Sequence, residues 1–314
     1  MVPESAGRAR SRLVTVSTLC LLLAAAVRLT ASNHPGVALL GALAAPLAAL
    51  AAWQVVGPQA APWAGIFVAL SPIHALASRA PGADAILVSS LLAALWLLVV
   101  LESEARPMPA ILLGLLAGGL LGCGVAAFSA VALLLLSWLA LGRERSAALV
   151  AMGVALAVVT TAALLGLARS PFDYGEIPAW IPRTTLERVV RCAGASFTRA
   201  IGVEYQLVVS HARYLLPLTA LLMALMLRGA LWLPARASAL LLAGVSVPFA
   251  LGAVMSLVTG RITPLQAHRL LAALPFTALL VASGLASLGG RRTLGAGAAV
   301  AGTLAVFLAL ALGR

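Results

Sequence analysis

The sequence predicts an all-α fold, a polytopic transmembrane helical bundle of about eleven spans. Three observations carry that expectation. Of the 314 residues, 62% are hydrophobic with the 28 glycines left out of the count, and only 10% are charged. An average soluble domain is roughly 45–50% apolar with glycine included, and so few charges could not cover a soluble globule of this size. Apolar runs of about 20 residues, the length that crosses hydrocarbon, recur along the chain. Arginines fall singly or in pairs between those runs, as orientation signals do. Composition thus excludes a soluble enzyme, a disordered chain and a nucleic-acid-binding domain. Residues 1–314 read as a single integral membrane domain.

The elements follow in order. Residues 1–12 are polar and basic and form a cytoplasmic tail. The apolar run at 13–29 leaves through Arg28 into Thr30–Pro35 without a small-residue cleavage site, so it reads as a retained first span. Further spans are expected at 37–57, 62–78, 83–101, 147–168, 214–233, 237–259, 269–288 and 293–312. The stretch Pro109–Leu141 is too long for one span, since as a single helix it would extend roughly 50 Å. Gly122, Gly124 and Phe128–Ser129 offer breaks near its middle.

Charge decides how often that stretch crosses. With two crossings, the cytoplasmic loops hold ten arginines (8, 10, 12, 106, 143, 145, 228, 236, 291 and 292). The short outer loops and C-terminus then hold five, namely Arg28, Arg79, Arg261, Arg269 and Arg314. With one crossing the bias vanishes, seven against eight. The positive-inside rule favours two crossings, with the N-terminus cytoplasmic and the C-terminus external.

That orientation places one long segment, 169–213, outside. From Thr184 it reads as an amphipathic helix lying in the interface. Leu186, Val189, Val190, Ala193, Phe197 and Ile201 recur three and four apart, and Thr184-x-x-Glu187 fits a capping box. Gly114, Gly118 and Gly122 fall four apart on one helix, a spacing that lets backbones approach, and read as internal packing. No internal repeat argues for an inverted-repeat transporter.

All 21 basic residues are Arg and the net charge is +12. In a membrane chain the nearest partners for that charge are anionic lipid headgroups. Cys20, Cys123 and Cys192 share no ligand spacing, so neither a disulfide nor a metal site is expected. No cofactor is expected. Phosphate-binding glycine loops, GxSxG, HExxH and CxxC are absent.

The remaining polar residues sort by side. The outer set includes Arg79, Asp84, Asp173, Glu176, Arg261, His268 and Arg269. Ionisable groups in or near a bilayer are costly and therefore suggest function. Arginines around a cavity would hold a lipid phosphate, and a carboxylate would serve as base. Asp84, Asp173 and Glu176 are the candidate catalytic carboxylates. Arg79, Arg261, His268 and Arg269 are the candidate phosphate-binding residues. Arg79 and Asp84 equally suit a plain pairing across a turn, and His268–Arg269 an interfacial anchor. His74, following Pro72, reads as a packing residue.

Several of these patterns occur together in one family. The stretch Ala69-Leu70-Ser71-Pro72-Ile73-His74-Ala75-Leu76-Ala77-Ser78-Arg79, with Pro81 and Asp84 after it, resembles the "LSP…S-x-x-x-RPD" segment of C-type (GT-C) membrane glycosyltransferases. These include protein mannosyltransferases and lipid A aminoarabinose transferases. The glycine-rich run 112–122 looks like their next segment, where the chain turns back through a short helix pair. His268-Arg269-Leu270-Leu271-Ala272-Ala273-Leu274-Pro275 resembles their late "R-Y/L-x-x-x-x-P" helix start, and Arg28–Leu29 fits the close of their opening helix. The resemblance spans most of 13–290 in order.

It implies transfer of a sugar from a polyprenyl-phosphate carrier at the outer face of a bacterial inner membrane. A carboxylate of the first outer loop would be the base, a divalent metal would assist as in some members, and Arg269 would contact the lipid phosphate. The sequence departs from the family in that loop: Thr30–Gly36 reads TASNHPG and holds no Asp or Glu. Two alternatives therefore stand beside a sugar transferase. One is a non-catalytic paralogue acting as a partner subunit, the other a polytopic transporter or scaffold.

Overall fold

A computed structural model of the chain describes residues 3–29, 35–78, 83–103, 107–121, 145–165, 205–259 and 271–312. Among the described residues there are helices and turns and no strand. The first helices are α1 (Pro3–Leu29), α2 (Pro35–Ala42), α3 (Ala44–Val55), α4 (Ala61–Ala69), α5 (Pro72–Ala77) and α6 (Ala83–Ser103). There follow α7 (Pro107–Leu121), α8 (Arg145–Leu164), α9 (Tyr205–Trp232), α10 (Ala235–Thr259), α11 (Leu274–Ala286) and α12 (Gly290–Leu312). Leu- and Ala-rich runs favour helix on propensity. In lipid only helices and closed barrels satisfy every backbone N–H and C=O.

Three stretches are long and apolar enough to cross a bilayer: Ser11–Leu29, Pro35–Val55 and Gly290–Ala309. Shorter apolar helices account for much of the rest, among them Leu87–Leu101, Pro107–Leu120 and Leu271–Ala286. The exterior is apolar too, with Leu156 68% and Leu164 83% exposed on α8. A surface of this kind suits an integral membrane protein, because leucine faces acyl chains without penalty.

Prolines punctuate the rods. Between α2 and α3, Pro46 has no N–H for the Ala42 carbonyl, so the helix loosens around Leu43. Leu43 keeps helical dihedrals (φ −61°, ψ −20°). Its N–H donates to Leu39 O, and Leu47 N–H donates to Leu43 O, both at 3.2 Å. Pro35–Val55 therefore stays one rod. Residues 62–78 do not. The single span expected there is two helices, α4 and α5, broken at Leu70–Ser71 by Pro72. Further on, α9 opens at Tyr205 rather than 214, and α11 starts at Leu274 after one 3₁₀ turn over 271–273. The interfacial helix expected from Thr184 lies outside the described residues.

Contacts fix several directions. Cys20 of α1 meets Gly65 of α4, and Arg28 meets Val68 and Ala69, so positions rise together and the two helices run the same way. A Cβ on Gly114 would sit 2.6 Å from Ala151 O, and one on Gly118 would sit 2.7 Å from Val158 Cβ. Each step of four along α7 is a step of four along α8, so these two also run in parallel. Their glycines let the backbones touch, in line with internal packing. At the centre lies α11, every residue of which is buried. It meets α9 through Gly229 and Gly284, where a Cβ on either would overlap a carbonyl of the other helix. Ser283 Oγ donates to Gly229 O at 3.2 Å across the same contact.

Candidate functional site

The break between α4 and α5 is dictated by local sequence. A helix continuing past Ala69 would need the N–H of residue 72 to reach Val68 O, and Pro72 has none. Leu70 N–H closes the last turn on Ile66 O at 2.9 Å, and Ser71 N–H reaches Val68 O at only 3.4 Å. The next helix starts at once, because Ser71 is a natural cap and Pro72 fits the first helical position. Ser71 Oγ accepts from His74 N–H at 3.5 Å, and Ala75 N–H donates to Ser71 O at 3.0 Å. Leu70, Ser71, His74, Ala75 and Ser78 are all buried. A backbone break at this depth has no water to satisfy it, so its partners must come from protein.

Arg28 supplies them. Its side chain, in the last turn of α1, is 0% exposed. The Nη2 group donates to Val68 O at 3.2 Å and the Nη1 group to Ala69 O at 3.5 Å, as well as to Ala24 O of its own helix at 3.3 Å. Nη2 also lies 2.6 Å from His74 Nδ1. A guanidinium only donates, so His74 accepts at Nδ1 and is neutral, with its proton on Nε2. Ser78 Oγ donates to His74 O at 2.8 Å and fastens the far end of α5.

A buried cation needs compensation. Among the described residues no carboxylate meets Arg28. Its counter-charge is dipolar instead: α1 and α4 run in parallel, and both end beside the guanidinium. Each C-terminus carries about half a negative charge in its free carbonyls. Arg28 Nε has no acceptor among the described residues.

Arg28 is therefore not the outer-loop residue expected from the positive-inside count. It is the polar centre of the α1–α4–α5 junction. His74 is buried, as expected of a packing residue, but it also takes part in that centre. Sequence reasoning missed the constellation because Arg28 and Pro72 lie far apart in the chain. The available signal was an arginine inside an apolar run together with Ser-Pro in the middle of another.

The sequence-predicted site residues are placed only in part. Asp84 is the second residue of α6, and its side chain is not described. Arg79, Asp173, Glu176, Arg261, His268 and Arg269 lie outside the described residues. Arg79 directly follows Ser78, so α5 leads into it from the same junction that holds Arg28. Cys20 is a buried thiol packed on Gly65. Among the described residues no three His, Cys, Asp or Glu side chains come together as a metal site.

The fold and this junction define the class, an integral membrane helical bundle with a polar centre at a discontinuous helix. Compared with known proteins, the chain matches no family model and is significantly similar to no curated sequence.

Proposed function

We propose that the chain is a GT-C-like membrane glycosyltransferase, or a divergent relative, that transfers a sugar from a polyprenyl-phosphate carrier at the outer face of a bacterial inner membrane. The supporting observation is the break at Leu70-Ser71-Pro72. The segment that resembles the family's "LSP" motif is a buried, polar junction rather than a plain span. It leads directly into Arg79 and on to Asp84.

The reading keeps about eleven spans, a cytoplasmic N-terminus and an external C-terminus. The parallel run of α7 and α8 supports it. Arg145 begins at the end of the pair where Pro107 begins, the arrangement that two crossings of Pro109–Leu141 call for.

In this scheme Asp84, Asp173 or Glu176 takes the proton of the acceptor hydroxyl as its oxygen bonds to the anomeric carbon. The bond from that carbon to the carrier phosphate breaks, and polyprenyl phosphate leaves. Arg79, Arg261, His268 and Arg269 hold the phosphate charge. A divalent metal would assist as it does in some members of the family.

A second reading, a non-catalytic partner subunit, is favoured by one feature: residues 30–36 hold no carboxylate. Membrane vesicles carrying the chain, supplied with labelled polyprenyl-phosphate hexose and pentose, separate the two. The transferase reading requires release of polyprenyl phosphate by wild type and a loss of about 100-fold or more in one of D84N, D173N or E176Q. No release from any donor, or full activity in all three variants, rejects it.

A further inference from the structure

After Glu204 the chain contains no Asp or Glu, yet eight of its 21 arginines lie beyond that point. Four of them, Arg228, Arg236, Arg291 and Arg292, are exposed. They gather at one end of α9–α12. Arg228 sits one turn from the end of α9, where its Nε donates to Ser287 Oγ at 2.7 Å and its Nη2 to Ser287 O at 3.1 Å. These bonds tie the α9–α10 turn to the α11–α12 turn. Gly289 (φ 72°) and Gly290 (φ 53°) then form the turn into α12, whose first turn carries Arg291 and Arg292. Arg236 opens α10 just past Pro234.

One further feature places this end at a lipid headgroup layer. Trp232, between Arg228 and Arg236, is 52% exposed, and tryptophan concentrates where acyl chains meet water. The C-termini of α9 and α11 lie here together with the N-termini of α10 and α12, so the helix dipoles largely cancel and the positive charge is that of the arginines. The mutual repulsion of these groups has no carboxylate on α9–α12 to relieve it.

We propose that this end of α9–α12 binds the phosphate headgroup of an anionic phospholipid. Arg228, pinned by Ser287, is the preset donor, and Arg236, Arg291 and Arg292 complete the cationic rim. A zwitterionic headgroup fits poorly, since its own ammonium competes for the phosphate. In the eleven-span plan this end is cytoplasmic, away from the face assigned to the sugar carrier, so the inference does not depend on sugar transfer.

The test uses the purified full chain in detergent, with lipid retention read by native mass spectrometry and Tm read by thermal unfolding. Phosphatidylglycerol is expected to bind and to raise Tm, whereas phosphatidylcholine and inorganic phosphate are not. The double variant R291Q/R292Q should retain phosphatidylglycerol about tenfold more weakly or worse, since each basic residue near an anionic surface contributes about 1 kcal/mol. The lysine pair R291K/R292K should keep most of the binding, and R228Q gives an independent loss should the double variant fold poorly. Equal binding of phosphatidylcholine, unchanged retention in both glutamine variants, or the same Tm rise with inorganic phosphate alone overturns the proposal.

Discussion

Two kinds of junction hold this bundle together, and they solve the same problem by opposite means. Where α7 meets α8 and α9 meets α11, side chains are removed. Gly114, Gly118, Gly229 and Gly284 let backbones touch, and dispersion does the rest. Where α1 meets α4 and α5, a large charged side chain is inserted instead, fully buried, and its hydrogen bonds go to carbonyls that Pro72 and the helix ends leave open. The difference shows what each junction tolerates. A glycine contact fails when volume is added. The Arg28 contact fails when donors are removed, whatever volume replaces them.

That contrast sets an order of effects. R28M is expected to cost the most, about 2–4 kcal/mol, because it strands buried acceptors at about 1–3 kcal/mol each. SDS-denaturation free energies in mixed micelles would measure it. R28K should recover only part of the loss, since one ammonium cannot serve Val68 O, Ala69 O and His74 with a planar fork. G229A follows at about 1–3 kcal/mol, as its new Cβ meets the Leu280 carbonyl of a fully buried helix. The same measurement on G119A, where a Cβ meets nothing within 4 Å, should show no loss and sharpens the point. H74Q is smallest, near 1 kcal/mol, because an amide oxygen still accepts from Arg28. If H74Q proved as damaging as R28M, the carbonyls would not be the main partners of the guanidinium.

The glycine junction of α7 and α8 was legible in the sequence, whereas the Gly229–Gly284 contact and the arginine junction were not. Gly114 and Gly118 announce a contact through spacing alone, because the periodicity of one helix fixes which residues share a face. The helical, apolar nature of the chain was equally plain from run lengths. Arg28 is different. Its partners are main-chain carbonyls some 40 residues away, and a carbonyl has no residue type to recognise. Counted as a loop charge, it also fitted the positive-inside sum, which hid the one signal available, its place inside an apolar run. The break at Leu70–Ser71 was hidden by composition, since apolar residues on both sides of Pro72 imitate one span. Ser71-Pro72, read as a cap followed by a first helical position, was the clue.

The central claim is that Arg28 provides the donor that Pro72 withholds. A double-mutant cycle between R28M and P72A tests it most directly, because alanine at 72 restores an N–H for Val68 O. The account predicts that P72A shrinks the R28M penalty by about 1 kcal/mol or more, the size expected of residues sharing a partner. Additive losses, agreeing within about 0.5 kcal/mol, would contradict it.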